Sequence, residues 1–138
     1  MMQGWVHRTR TLGQVMFLIL RDRGGLGQLV MEGKDNGLDN LTNESIIQVE
    51  GVPRLEDRAQ GGAELQVSDL KMVSQPVEAP PIAVNSKNIY STVRLDTVLK
   101  HRAISLRNPE IRAVFRVQAE IMDAFRDFLR EHNFTEIS

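Results

Sequence analysis

Residues 15–31 read Val15-Met16-Phe17-Leu18-Ile19-Leu20-Arg21-Asp22-Arg23-Gly24-Gly25-Leu26-Gly27-Gln28-Leu29-Val30-Met31. A nearly unbroken apolar run of strand length, residues 15–21, meets Arg23-Gly24-Gly25 and is followed by a second extended stretch at residues 27–31. Glycine accepts positive φ without steric cost, so the glycine pair supplies a tight turn and the two stretches fold back on each other as a hairpin. Alternation then assigns the faces. Met16, Leu18 and Leu20 share one side of the first strand, while Phe17, Ile19 and Arg21 share the other. On the second strand Leu29 and Met31 point inward, and Gln28 and Val30 point away.

The pattern extends in both directions from this hairpin. Residues 2–10 predict an earlier strand that ends at a turn near Leu12-Gly13-Gln14. Residues 45–52 predict a fourth strand and residues 63–72 a fifth, joined across a turn at residues 58–62. On the fifth, Leu65 and Val67 point inward and Glu64 and Gln66 outward. The polar, Asn- and Asp-rich stretch between Gly33 and Glu44 reads as a loop with a helical turn at residues 38–41. Short strands with glycine-containing turns indicate a barrel or sandwich. Five of them, with the long connection between the third and fourth, match the OB-fold arrangement. The expected fold is therefore mainly β: a five-stranded OB-fold barrel over residues 1–74, then a proline-containing hinge, then an amphipathic helix.

The hinge is placed at residues 75–93, where Pro76, Pro80 and Pro81 remove backbone donors and fix φ. Residues 94–138 follow as a separate segment. Within it Asn108-Pro109-Glu110 is a helix start, with an Asn cap, proline in the first turn and a carboxylate at the positive end. Ile111, Val114, Phe115, Ile121, Met122, Phe125, Phe128 and Leu129 then recur with a helical period to about residue 133, interrupted by Gln118. So long an apolar stripe, with so few residues after it, is expected to belong to a truncated chain or to meet a partner chain.

The 138 residues are 41% hydrophobic and 25% charged, in the range of an ordinary globular domain with an appendage. No run approaches the roughly 18 apolar residues of a membrane helix, and Gly4, His7, Arg8 and Arg10 leave no apolar signal segment. The chain lacks cysteine, which excludes disulfides and thiolate metal sites and fits a cytoplasmic location. A net charge of −1 argues against a globally basic nucleic-acid binder. Arg8, Arg10, Arg21 and Arg23 nevertheless face only Asp22 before Glu32, which makes either a local basic patch or a normally solvated surface.

Catalytic signals are poor. His7, His101 and His132 are scattered, with no other ligand at metal-binding spacing. Gly24-Gly25-Leu26-Gly27 lacks the lysine of a phosphate loop. No catalytic residue, metal ligand or cofactor is assigned to these residues. Binding signals are better. If Met16, Leu18 and Leu20 fill the barrel, one outer face carries Phe17 as an aromatic platform beside Gln28 and Glu64, a combination suited to unpaired bases. Arg8 and Arg10 would meet phosphates. Alternation alone leaves Phe17 equally open to a place in the core.

Several short segments in order, Gly4-Trp5-Val6-His7, Arg10, Leu12-Gly13, Phe17-Leu18-Ile19-Leu20-Arg21-Asp22, Gly27-Gln28-Leu29-Val30, Val49-Glu50-Gly51-Val52 and Ala63-Glu64-Leu65, resemble the anticodon-binding domain of class IIb aminoacyl-tRNA synthetases. These are the aspartyl, asparaginyl and lysyl enzymes. Arg94-Leu95-Asp96-Thr97, Leu106-Arg107-Asn108-Pro109, Phe115-Arg116-Val117 and Phe134-Thr135-Glu136-Ile137 are similar to the approach to motif 1, its helix and the strand beyond. The aspartyl type of the archaeal branch fits best, with the asparaginyl type as the alternative.

The resemblance implies a tRNA anticodon stem-loop as partner. Phe17 would stack on the middle base, a uridine, while Gln28 and Glu64 would bond base edges and Arg10 would contact the stem-loop. Arg10 and His7 have opposite parity, so a bulge in the first strand would be needed to bring both to the RNA. His7 stands where some strict aspartyl enzymes carry tryptophan and many relaxed ones, which also charge the asparagine tRNA, carry histidine. Gln60 stands at a second such determinant and matches neither usual residue. Residues 94–138 would begin a class II catalytic domain, with ATP and magnesium ions serving the parent enzyme and the helix lying near a homodimer interface. Motifs 2 and 3 are absent, so these residues alone are expected not to activate aspartate. A free-standing OB module for single strands and a protein-association module are the competing readings.

Overall fold

The structure is a computed structural model and describes residues 1–33 and 41–137. The helical turn expected at residues 38–41 lies, apart from Leu41, outside the described residues. The chain divides into two compact units, Met1–Pro80 and Pro81–Ser138.

The first unit holds β1 (Met2–Leu12), β2 (Val15–Arg21), β3 (Leu26–Glu32), β4 (Ile46–Leu55) and β5 (Ala63–Ser74). They close into a barrel in the order β1-β2-β3-β5-β4, with β4 returning to β1. The β3–β5 pair is parallel and the other ladders are antiparallel. This is the five-stranded OB-fold expected from the strand pattern. Of the residues that alternation points inward, Leu18, Leu20, Leu29 and Met31 are buried, and Met16, Leu65 and Val67 are half-buried and packed on them; Val6, Ile47 and Val49 complete the core. Each fully buried aliphatic side chain removes enough apolar surface to contribute about 1.5–3 kcal/mol.

The turns follow local chemistry. Gly13, at φ 62, makes the two-residue link from β1 to β2. Asp22 organises the next turn, its Oδ1 accepting from the N–H groups of Gly24 and Gly25 at 2.7 and 3.0 Å.

The strands outrun their predicted ends, most of all β4, which continues through Pro53 to Leu55. Its ladder with β1 covers Ile46–Val49, whereas its ladder with β5 runs on to the pair of Leu55 with Ala63. Pro53 therefore sits where β4 has only one of these neighbours, the position in which a sheet tolerates proline. Gly51 lies at a register shift in the same ladder, and a Cβ there would collide with the main-chain oxygen of Gln66.

The second unit has its own small core of Ile82, Ile89, Val98 and Ile111. Around it stand α1 (Ile89–Thr92), α2 (Leu95–Lys100), α3 (Arg102–Ser105) and α4 (Pro109–Glu131). Ile82, Val84 and α1 fall within the stretch read as a hinge, and all of Ile82, Val84 and Ile89 are buried. Asn108 is fully buried. Its Oδ1 accepts from the N–H of Glu110 and Ile111 at 2.9 and 3.3 Å, and its Nδ2 donates to the carbonyls of Val84 and Ser86 at 2.8 and 3.0 Å. The expected cap thus also ties the helix to the preceding segment. Beyond Ile111 the apolar stripe of α4 is open, with Ile121 63%, Phe125 60% and Phe128 57% exposed.

Gly51→Ala is expected to cost at least about 1–3 kcal/mol, because the obstructing atom is backbone and cannot rotate away. Urea unfolding of the chain followed by circular dichroism checks this.

Candidate nucleic-acid interface

Cross-strand partners in a sheet point to the same side, so the registers write out the outer face of the barrel row by row. One row runs Arg10, Phe17, Val30, Gln66 and Val52 across β1, β2, β3, β5 and β4. The next runs Arg8, Ile19, Gln28, Glu64 and Arg54. Four of the six residues expected at the RNA are thus brought onto two adjacent rows: Arg10 and Phe17 on one, Gln28 and Glu64 on the other.

Their contacts define the chemistry. Phe17 is half-buried and lies on the outer face, not in the core. The Arg10 guanidinium carbon lies 5.3 Å from the centroid of its ring, a cation–π contact. Gln28 Nε2 donates to Glu64 Oε2 at 2.9 Å. With the amide N–H turned to the carboxylate, this pair offers mainly acceptors, which suit ring N–H and amino donors on base edges. The site combines an aromatic face, an acceptor pair beside it, and exposed Arg8, Arg10 and Arg54 at its margins.

The bulge expected to bring both Arg10 and His7 to this face exists, but it turns only Arg10 outward. The β1–β2 register shifts between Val6, paired with Leu20, and Arg8, paired with Ile19, which makes His7 the extra residue. His7 itself is not laid open with Arg10. It is only 9% exposed, and Arg21 Nη1 donates to its Nδ1 at 3.2 Å. Since arginine can only donate, the imidazole is the tautomer protonated at Nε2. Arg21 Nη2 also donates to Glu44 Oε2 at 2.8 Å, in an ion pair whose side chains are each 5% exposed. The Arg21 guanidinium carbon stands 5.8 Å from the Trp5 ring. Removing one partner of such a buried pair costs about 3–5 kcal/mol.

Burial, then the positive charge of Arg21, lowers the His7 pKa from its ordinary 6.5; Glu44 opposes the shift and Arg8 adds to it.

Gln60 is exposed, in the turn that closes the β4–β5 hairpin just beyond the Arg54–Glu64 pair. Arg54 lies beyond residue 52, where the sequence pattern ends the fourth strand, and only the extension of β4 to Leu55 brings it opposite Glu64. The role of Glu44, which pairs across 23 positions, has no local signal in the sequence. Among the described residues, no three His, Cys, Asp or Glu side chains cluster to hold a metal ion, and no helix is long and apolar enough to cross a membrane.

Residues 2–73 match the family described as the OB-fold nucleic acid binding domain. The chain belongs to that family. Residues 94–138 of this OB-fold protein match class II tRNA synthetases of the D, K and N types, so both halves of the sequence resemblance are met. An aspartate–tRNA(Asp/Asn) ligase of Saccharolobus solfataricus is 36% identical over 137 residues, covering 97% of this chain and 31% of the relative. One from Deinococcus radiodurans is 40% identical over 137 residues, covering 99% of this chain and 30% of the relative. The solved asparaginyl-tRNA synthetase from Pyrococcus horikoshii, complexed with asparaginyl-adenylate, superposes with a TM-score of 0.84 at 26% identity, over 99% of this chain and 32% of that one. The chain therefore spans just under a third of the length of these relatives.

The lowered His7 pKa fixes the sign of a pH effect. Below 6.5 the unfolded chain binds a proton that the folded one resists, so stability falls as pH drops from there towards the folded pKa and then levels off. Urea titrations between about pH 7.5 and about pH 5.5 should show this loss in the wild type, and His7→Gln should flatten it.

Proposed function

We propose that the barrel binds the anticodon loop of a transfer RNA, as the recognition part of an aspartate–tRNA ligase. The observation that carries this reading is the pair of adjacent rows, with Phe17 beside the hydrogen-bonded Gln28 and Glu64. An unpaired base stacks on a ring at roughly 1–3 kcal/mol per base, and acceptors beside the ring bond the N–H groups that every base edge carries. The synthetase resemblance makes the central base a uridine, whose N3–H is such a donor. Arg8 and Arg10 supply phosphate contacts along one margin.

The names of the relatives favour the relaxed form, in which both the aspartate and asparagine tRNAs are substrates. His7 would act in that choice from beneath the surface, and Gln60 from the adjoining turn. ATP and magnesium ions would be cofactors of the longer architecture to which residues 94–138 contribute. A cytoplasmic location follows from the proposed tRNA substrate and suits a chain without cysteine. The open apolar stripe of α4 supports a second copy as its cover, forming a homodimer.

Two experiments test this. In fluorescence anisotropy, an anticodon stem-loop with a central uridine should bind more tightly than one with any other central base. Phe17→Ala should abolish the preference and weaken binding by about 1–3 kcal/mol. Equal binding of all single strands would show a general single-strand binder instead. In light scattering the chain should be dimeric, and Ile121→Glu with Phe125→Glu should give a monomer with an unchanged barrel spectrum. A wild-type monomer at high concentration would refute the dimer.

A further inference from the structure

The row containing Arg8 and Arg10 exists only because β1 carries one extra residue. If the pairing of Val6 with Leu20 continued without a shift, Arg8 would stand opposite Leu18 and Arg10 opposite Met16, both on the side that fills the barrel. With the shift, Arg8 stands opposite Ile19 and Arg10 opposite Phe17. The whole phosphate-facing margin therefore depends on where the extra residue, His7, is accommodated.

His7 is accommodated by charge. Arg21 closes the outer row of β2 beyond Phe17 and Ile19, yet it is only 4% exposed. It donates to His7 with one nitrogen and to Glu44 with the other. Glu44 is held in turn at a position that few side chains accept, with φ 70 in the left-handed region. Its N–H donates to the carbonyl of Val6 at 2.7 Å, and the N–H of Val6 donates to the carbonyl of Ser45 at 2.8 Å. Main-chain bonds thus clamp β1 on one side of His7 while the Arg21 side chain clamps the imidazole itself. An unfavourable backbone conformation at a buried charged residue, bonded at both its main chain and its carboxylate, is the kind of over-determined geometry that persists where position matters.

We propose that the buried Arg21–Glu44 ion pair is the positioning device of the RNA face: by gripping His7 it fixes the β1 bulge and so turns Arg8 and Arg10 outward beside Phe17. This deepens the anticodon reading and rests on it for the identity of the RNA. Arg21 and Glu44 touch no base and no phosphate. They act through His7 and the strand that follows it. Glu44 also makes the device a single unit with the segment entering β4, so a change there is felt on β1, the strand across the barrel seam.

The test separates positioning from mere stability. Glu44→Gln keeps the shape of the side chain and removes its charge. Binding of the central-uridine stem-loop is measured against salt concentration, because each phosphate contact to a single strand contributes about 0.7 to the slope of log affinity on log salt. If Arg8 and Arg10 lose their placement, Glu44→Gln lowers the slope by roughly 1.4 and the affinity about tenfold at moderate salt. It should then match Arg8→Gln with Arg10→Gln, and combining all three changes should add nothing further.

The double variant Arg21→Met with Glu44→Met replaces the pair by apolar side chains, which often preserves folding. It should recover the melting temperature without recovering the slope. A Glu44→Gln chain with the wild-type slope, or an apolar pair that restores it, overturns the proposal. An RNA-independent readout comes from NMR. The Arg10 side-chain protons should lose their ring-current shift from Phe17 in Glu44→Gln, and persistence of that shift also overturns the proposal. If the wild type binds no stem-loop, the anticodon reading fails, and the ring-current shift alone then decides the positioning role.

Discussion

The barrel depends on what β1 can do within a few residues. It must pair with β4 through Met2–Trp5 to close the sheet, and with β2 from Trp5 to Leu12. At this junction the strands come unusually close. A Cβ on Gly4 would lie 2.5 Å from the main-chain oxygen of Arg21. Glycine is required there for steric reasons, and the next residues, Trp5, Val6 and His7, carry a cation contact, a core contact and the bulge in turn. Closure of the barrel and composition of its outer face are thus settled by the same short stretch of chain.

That coupling explains which parts of the molecule were legible beforehand. The period of two gave the inward set correctly, because in a half-buried strand a one-residue slip exposes every apolar side chain at once. Gln28 and Glu64 follow from the same parity, without any bulge between them and the core residues that fix the register, and Phe17, whose side alternation alone leaves open, shares their face. Arg10 is different. Its face is the reverse of the one that uninterrupted alternation from Val6 assigns, and the need for a bulge was visible only as a conflict between parity and resemblance. The depth of His7 was not visible at all, since its partners Arg21 and Glu44 are distant in sequence and look like ordinary charged surface residues.

The second unit shows the opposite balance. Asn108-Pro109-Glu110 predicted the start of α4 correctly, because caps are local. The preceding residues, rich in proline and small polar side chains, read as a connector by composition, yet Ile82, Val84 and Ile89 are buried. Four apolar residues spread over thirty positions leave no period to detect. They are joined instead by polar bonds: Asn108 reaches the carbonyls of Val84 and Ser86, and the Glu110 carboxylate accepts from the N–H of Asn88 and Ile89 at 2.9 and 3.2 Å.

Pro53 has a consequence for the behaviour of the chain in crowded solution. The far half of β4 carries Val52 and Leu55, 68% and 86% exposed, on a run that β1 does not cover. An open strand edge bearing large apolar side chains is a template for stray strands and an origin of aggregates. Proline in the middle of that run interrupts the row of donors a passing strand would need, and Arg54 beside it adds a charge that an apolar intruder would have to bury. The barrel therefore keeps an apolar rim while protecting itself against edge-to-edge association.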